Sequence, residues 1–261
     1  MLSIPIILIG ICLWAGVVEP NLILEENIEV GLEGLNQEMK ELKFVHISDL
    51  HFFNFGFKEK SLIEKLNRIK PDYIFITGDL VDWSTQELEQ AEEFFKKIAD
   101  IAPDKTFGVY GNHEHRHIKF FEVRKRMKQA GIRILNNESV LLEQGIYLVG
   151  VDDPHSEMSD LPAAFNGIDM EKPKILLAHS PEIFREIECN NILVLAGHTH
   201  GGQINIPILV NYFLPMKYDT KYKSGLFNKS SQWLYVNRGI GTTFLPIRLN
   251  AFPELTIIKL K

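Results

Sequence analysis

Four short apolar runs, residues 43–48, 73–77, 174–178 and 192–196, each end in side chains of the kind that bind metals. Their length and their β-branched and aromatic content mark them as buried strands. A strand buried on both faces has to be covered by helices or by a second sheet. The segments between them supply such cover. Residues 58–69 place Leu62, Ile63, Leu66 and Ile69 on one helical face, and residues 86–101 do the same with Leu88, Ala91, Phe94, Phe95 and Ile98. A third helix is expected over 119–130, closed by Gly131. Residues 132–151 suggest strand, turn and strand about Glu143-Gln144-Gly145, and 181–188 a short helix. The end, 233–260, is strand-like, and 21–42 is either a strand pair or a loose lead-in. Strands interleaved with helices, plus a late all-strand portion, predict an α/β fold of two packed sheets flanked by helices.

The polar blocks after the strands carry the chemistry. They are Asp49-Leu50-His51, Gly78-Asp79-Leu80-Val81-Asp82, Gly111-Asn112-His113-Glu114, the single His179, and Gly197-His198-Thr199-His200. Asp, Asn and His in this mixture suit borderline divalent ions, and the imidazoles argue against Mg or Ca as the native metal. In an extended segment residues i and i+2 face the same way, so Asp49 and His51 are expected to grip one ion together. Asp82 either caps its turn or supports a ligand from behind. His46, His115, His117 and His155 stand outside the blocks and are expected to be structural or solvated, while Asp152-Asp153 follows a strand and could touch the site.

The order D-x-H, G-D-x-x-D, G-N-H-E, H and G-H-T-H resembles that of the calcineurin-like metallophosphoesterases, over roughly residues 43–261. Gly201-Gly202-Gln203 and Arg238-Gly239-Ile240-Gly241 look like the membrane-associated branch of that family, which includes bacterial phosphodiesterase-like proteins and a UDP-diacylglucosamine pyrophosphatase. The resemblance implies a four-layer αββα sandwich and two divalent metal ions, with Mn, Fe, Zn and Co all admissible. It implies Asp49, His51 and His200 on the first ion, Asn112, His179 and His198 on the second, and Asp79 bridging both. It further implies in-line attack on phosphorus by a metal-bridging hydroxide. His113 would protonate or stabilise the leaving oxygen, with Glu114 orienting its imidazole, although the family more often has Asp at that place. Arg238 and Arg248 are candidate substrate grips, with a structural pairing to Glu254 as the competing role.

Composition limits the partners. The chain of 261 residues carries 28 basic and 34 acidic side chains, a net charge of −6, and no long basic run, so nucleic acid is not an expected partner. Cys12 and Cys189 cannot build a thiolate metal site. From residue 2 to 18 the sequence is apolar except for Ser3, and Glu19-Pro20 ends the run. It fits an uncleaved membrane anchor, with a signal peptide or a buried helix as alternatives, and it leaves the side of the membrane open. The expected division is a leader over 1–20 and one domain over 21–261.

Two apolar segments flank the ligand blocks: Phe52, Phe53, Phe55 and Phe57 after the first, and residues 206–212 with Phe213, Leu214 and Met216 after the last. They form either a lipid-facing rim or a packed cover. The expected function is hydrolysis of a lipid-linked phosphoester or pyrophosphate, such as UDP-2,3-diacylglucosamine, at a membrane surface. The alternatives are hydrolysis of soluble phosphodiesters or nucleotides, and a non-catalytic metal-binding scaffold.

Overall fold

The computed structural model describes residues 3–206 and 221–261. Strands β1 (Leu24–Val30), β2 (Phe44–Ile47), β3 (Tyr73–Thr77), β4 (Thr106–Val109) and β5 (Arg133–Ile134) belong to one sheet. Strands β6 (Glu138–Leu141), β7 (Tyr147–Gly150), β8 (Lys174–Leu177), β9 (Ile192–Ala196), β10 (Gly225–Lys229) and β11 (Gln232–Val236) form the other. The last strand, β12 (Glu254–Leu260), returns to the first sheet, giving the orders β1-β12-β2-β3-β4-β5 and β10-β11-β9-β8-β7-β6. Both sheets are mixed: β12 runs antiparallel to β2, and β10 and β6 run antiparallel to their neighbours β11 and β7.

Strand alternation assigns each layer its residues. Phe44, Phe75, Phe107, Leu148, Leu177 and Leu195 fill the space between the sheets. Val45, Ile47, Ile74 and Ile76 face the other way, onto Leu62, Leu66, Phe94, Phe95 and Met127. Those five come from the amphipathic helices α3 (Phe57–Ile69), α4 (Leu88–Ala99) and α6 (Phe120–Gln129), close to the expected ranges. The second sheet's outer face is covered more thinly, by α7 (Leu161–Ala164) and a 3-10 turn (Pro181–Arg185). Short helices α2 (Gln37–Glu41) and α5 (Asn112–Arg116) complete the set that follows the N-terminal helix α1 (Ser3–Leu13). The fold is α/β, two mixed sheets flanked by helices. Segment 21–42 is not a strand pair: it gives one edge strand whose partner, β12, lies some 230 residues further along the chain.

The N-terminal segment continues from α1 through a π-helical turn (Trp14–Val18) and a 3-10 turn (Glu19–Asn21). Ile4–Asn21 is long and apolar enough to cross a membrane by length and composition, with mean hydropathy 1.7. Its two halves differ. Ile4, Ile7, Leu8 and Ile11 are exposed, whereas Ala15 and Glu19 are buried. The Ala15 carbonyl accepts from Arg248 N (2.9 Å), Glu19 Oε1 accepts from Ala251 N (2.7 Å), and the Trp14 and Phe252 rings meet edge to face. Trp14, Ala15 and Glu19 thus pack on the rest of the chain, with Glu19 capping one of its loops.

His46 is a core residue between the sheets, its Nε2 2.8 Å from Thr77 Oγ1. Burial pushes its pKa down to about 3. Below about pH 6.5 the unfolded chain takes up a proton there that the folded chain refuses. Stability should fall as pH drops from that value towards 3, by up to about 1.4 kcal/mol per unit from this group. Urea titrations at several pH values should show a shallower loss for His46→Gln, which keeps a donor for Thr77. An unchanged slope would remove His46 as the cause.

Candidate metal centre

The parallel strands of each sheet end at one common edge of the sandwich, where their carboxyl ends deliver the polar blocks. Asp49 and His51 follow β2, Asp79 follows β3, Asn112 follows β4, His179 follows β8, and His198 and His200 follow β9. All seven are buried, with relative exposures between 0% and 5%.

Two groups of donors form there. Asp49, His51 and His200 make one, with His51 Nε2 3.1 Å from His200 Nε2 and His200 Nε2 3.4 Å from Asp49 Oδ1. Asp79, His179 and His198 make the other, with His179 Nε2 3.2 Å from Asp79 Oδ2 and 3.0 Å from His198 Nδ1. Asn112 Oδ1 joins the second group, 3.2 Å from His179 Nε2. Asp79 Oδ2 also lies 3.6 Å from His51 Nε2, so one carboxylate faces both groups. Buried imidazole nitrogens turned towards one another and towards carboxylate oxygens fit borderline divalent cations in two adjacent places.

The backbone that aims these groups is not extended. Asp49, His51, Asp79, His198 and His200 have φ between 40° and 71°, in the left-handed region. The expectation that strand alternation aligns Asp49 with His51 is thus corrected: the strand stops at Ile47 and both donors sit in left-handed turns. Such conformations cost on the order of 1–2 kcal/mol per residue and persist where surroundings enforce them. Here Asp49 N donates to Gly78 O (3.1 Å), His51 N to Asp79 O (2.9 Å), and Gly241 N to Asp49 O (2.6 Å).

Glycine at 197 is required by the close approach of these turns. A Cβ there would overlap Ser48 Oγ and an Asp49 carboxylate oxygen. Gly197→Ala should push Asp49 out of its group, with a stability loss of about 1–3 kcal/mol and weakened metal binding. Calorimetric unfolding with and without Mn²⁺ measures both. A variant stabilised by metal as strongly as the wild type would refute the packing argument.

Charge is distributed unevenly over the centre. Burial pushes the Asp79 carboxyl up, but His179 and then His113 and His51 overcome it and hold its pKa well below the usual range. Burial lowers the His179 pKa, yet Asp79 and Asp49 carry it well above the ordinary value. Burial also pushes Glu114 up to about 7, with the Asp79 charge adding to it.

Glu114 does not orient His113. Its carboxylate accepts from the backbone N–H groups of Gly111 (2.8 Å), Asp79 (2.9 Å) and Val81 (3.1 Å), tying the third block to the second. Standing at the third position of α5, it can reach back to the residue that starts the helix, which turns it away from the imidazole. The carboxylate beside His113 is Asp82, whose Oδ2 is 3.2 Å from His113 Nδ1 and 3.6 Å from His51 Nδ1. Asp82 also caps its own turn, accepting from Ser84 N (2.9 Å). Burial lowers the His113 pKa, but Asp82 and Asp79 raise it above the ordinary value. His113 Nε2 lies 3.9 Å from Asp79 Oδ2, and His51, Asp79 and His113 can themselves converge as a donor group.

The two arginines, expected as substrate grips, have partners within the protein. Arg248 is fully buried and donates to the carbonyls of Gly241, Ala251, Arg238 and Gly239, with Nη2 3.4 Å from His200 Nδ1. Arg238 pairs through Nε with Glu254 and through Nη2 with Glu26, both at 2.7 Å. Both help hold the 238–251 loop beside the metal centre.

The remaining residues divide as follows. Asp152 pairs with His115 (2.6 Å), and Asp153 caps the turn at His155 and Ser156. The His155 ring lies 4.9 Å from that of His198, so this histidine borders the site. His117 is buried against Thr85 O (2.9 Å). Phe52 and Phe55 pack on Phe94, while Phe53 and Phe57 are exposed, so the aromatic loop is half cover and half rim. Of the second apolar segment, 207–216 lies outside the described residues. A third apolar loop, with Phe244 and Leu245 exposed, was not picked out from the sequence, where its only signal is Thr243-Phe244-Leu245-Pro246 standing beside Arg248.

Comparison with known proteins accords with this geometry. The family model described as calcineurin-like phosphoesterase matches residues 42–202, well over half of the chain. YkuE of Bacillus subtilis (strain 168), named an uncharacterized metallophosphoesterase, is 30% identical over 257 residues, covering 95% of this chain and 89% of its own. The phosphodiesterase YaeI of Escherichia coli (strain K12) is 30% identical over 235 residues, covering 84% and 82%. A Danio rerio protein named transmembrane protein with metallophosphoesterase domain is 29% identical over 257 residues, or 90% of this chain but 56% of that protein. With five ligand blocks converging on one edge of the sandwich and these matches spanning them, the chain belongs to the calcineurin-like metallophosphoesterases.

Proposed function

We propose that this metallophosphoesterase hydrolyses a lipid-linked phosphoester or pyrophosphate at a membrane surface. The observation that carries the reading is the common placement of metal centre, apolar rim and apolar helix. Phe53, Trp83, Phe244 and Leu245 surround a cavity that reaches His51 and Asp82, and all four are exposed. Phe244 precedes by three residues Ile247, which lies against Gly16, and by four Arg248, which is bonded to Ala15. A bilayer holding the exposed half of the helix would therefore lie beside the cavity mouth. The transmembrane name of the Danio rerio relative supports a membrane association.

Two divalent cations, when bound, would lower the pKa of a bound water and neutralise charge on the phosphoryl oxygens. Asp49, His51, Asp79, Asn112, His179, His198 and His200 would hold them. His113 stands at the centre with a proton on its imidazole favoured by Asp82, which suits it to donate to a leaving oxygen. Glu114 fixes the backbone on which Asp79 and His113 stand. A second reading is hydrolysis of soluble phosphodiesters; the name of the YaeI relative supports its phosphodiester part alone.

The purified chain with Mn²⁺, assayed on UDP-2,3-diacylglucosamine, phospholipids and bis(p-nitrophenyl) phosphate, separates the two. The lipid reading expects a kcat/KM at least tenfold higher on a lipid-dispersed substrate than on the soluble diester. Deleting residues 1–13, which spares the docked Trp14 and Glu19, should lower the former more, since tethering raises local concentration. Equal rates on soluble and dispersed substrates, unaffected by the deletion, would leave the soluble reading standing.

A further inference from the structure

With both arginines occupied, a different cation faces the metal centre's mouth. The cavity of about 570 Å³ that begins at His51 and Asp82 has Lys58 in its wall, and no other lysine or arginine among its described lining residues. The rest of the lining divides into a polar part, with Asn54, Ser84 and Thr242, and the aromatic rim already described. A protein of net charge −6 that acts on phosphates has to meet substrate charge locally, and here one ammonium is placed to do so.

Lys58 stands in the first turn of α3, and its side chain is 20% exposed. The nearest carboxylate is Glu59, with Oε1 3.6 Å from Nζ. Glu59 is otherwise engaged: its Oε2 accepts from Gly56 N at 2.9 Å and starts the helix. The Lys58 side chain is therefore mostly buried and its ammonium loosely paired. Burial pulls its pKa below the ordinary lysine value, and Arg248 adds to this against the opposing Glu59. An arriving anion would relieve that state, whereas a neutral group would not. A lysine serves as a compact point charge with three donors, which matches a phosphoryl group that need not be held in one fixed plane.

We propose that Lys58 forms a subsite for a second anionic phosphoryl group, next to the one cleaved at the metals, so that the favoured substrate is a pyrophosphate carrying an apolar or aromatic remainder against Phe53, Trp83 and Phe244. The subsite rests on the hydrolase reading above. It makes Lys58 a specificity residue: its contribution appears when the substrate bears the second charge and vanishes when it does not. One charge-assisted hydrogen bond of this kind should carry roughly a tenfold to hundredfold preference.

The test compares the full chain with Lys58→Met and Lys58→Arg, on UDP-2,3-diacylglucosamine and on bis(p-nitrophenyl) phosphate, both with Mn²⁺. Methionine keeps the length of the stem without the charge, and thermal unfolding checks that the variant folds. The expected result is a KM for the pyrophosphate raised tenfold or more in Lys58→Met, with kcat within about threefold. The diester should be unaffected, and Lys58→Arg should recover most of the loss. Equal effects of Lys58→Met on both substrates, or none on either, would overturn the subsite while leaving the hydrolase reading intact. Wild-type turnover of the diester without turnover of the pyrophosphate would overturn it as well. Absence of turnover on every phosphoester would sink both the subsite and the function on which it rests.

Discussion

Asp79→Asn is expected to weaken metal binding by roughly a hundredfold to several thousandfold, and to reduce hydrolysis at least as much. The scale follows from removing one partner of a buried charged cluster, which costs about 3–5 kcal/mol. The fold should survive. Asparagine tolerates the left-handed conformation at this position, where φ is 49°, and its carbonyl can still accept from His113 N as Asp79 Oδ1 does at 2.9 Å. What changes is the other oxygen. Asp79 Oδ2 faces His51 at 3.6 Å and His179 at 3.2 Å, and an amide NH₂ there would point a donor at the place where cations belong. Metal content after dialysis, together with kcat and KM on bis(p-nitrophenyl) phosphate, measures the effect. Wild-type metal stoichiometry in the variant would show that Asp79 does not join the two donor groups.

His113→Ala should leave metal content unchanged and lower kcat by about 10²–10⁴-fold, the usual range for a general acid or base. Its Nδ1 is held beside Asp82 and its Nε2 turns towards Asp79, so the imidazole is oriented even without substrate. Asp82→Asn should keep the ring but lose the charge that favours its proton, giving a smaller loss and a lower pH at which activity declines. The sign follows from the partner: a carboxylate raises an imidazole pKa, so its removal lowers the value at which the proton departs. Because His51, Asp79 and His113 also converge, a metal-binding role for His113 is the competing assignment. Loss of one metal equivalent from His113→Ala would establish that role and end the acid–base one.

The same contrast between local and distant partners explains how much could be read from the chain alone. The strands, the three covering helices and the five polar blocks follow from short-range features: apolar runs of five or six residues, helical spacing, and His, Asp and Asn at strand ends, several of them beside glycine. Each is a property of neighbouring residues, so a sequence displays it. The order of the blocks carried the rest of that inference through resemblance.

What the sequence could not display is where each polar side chain ends. Glu114 was placed on His113, its immediate neighbour, but its carboxylate bonds the backbone of Asp79 and Val81, more than thirty residues away. Arg238 and Arg248 have the composition of a phosphate grip, yet distant partners engage them, Glu26 and Glu254 for the one and the carbonyls of a returning loop for the other. Glu19, which in the sequence only ends the apolar run, is a buried cap on Ala251. Lys58, unremarked in its helix, became significant because the 242–246 loop closes a cavity opposite it. Periodicity fixes which face of an element is apolar. A hydrogen bond or ion pair depends on which distant backbone arrives within about 3 Å, and that is decided when the two sheets pack and their strand ends meet.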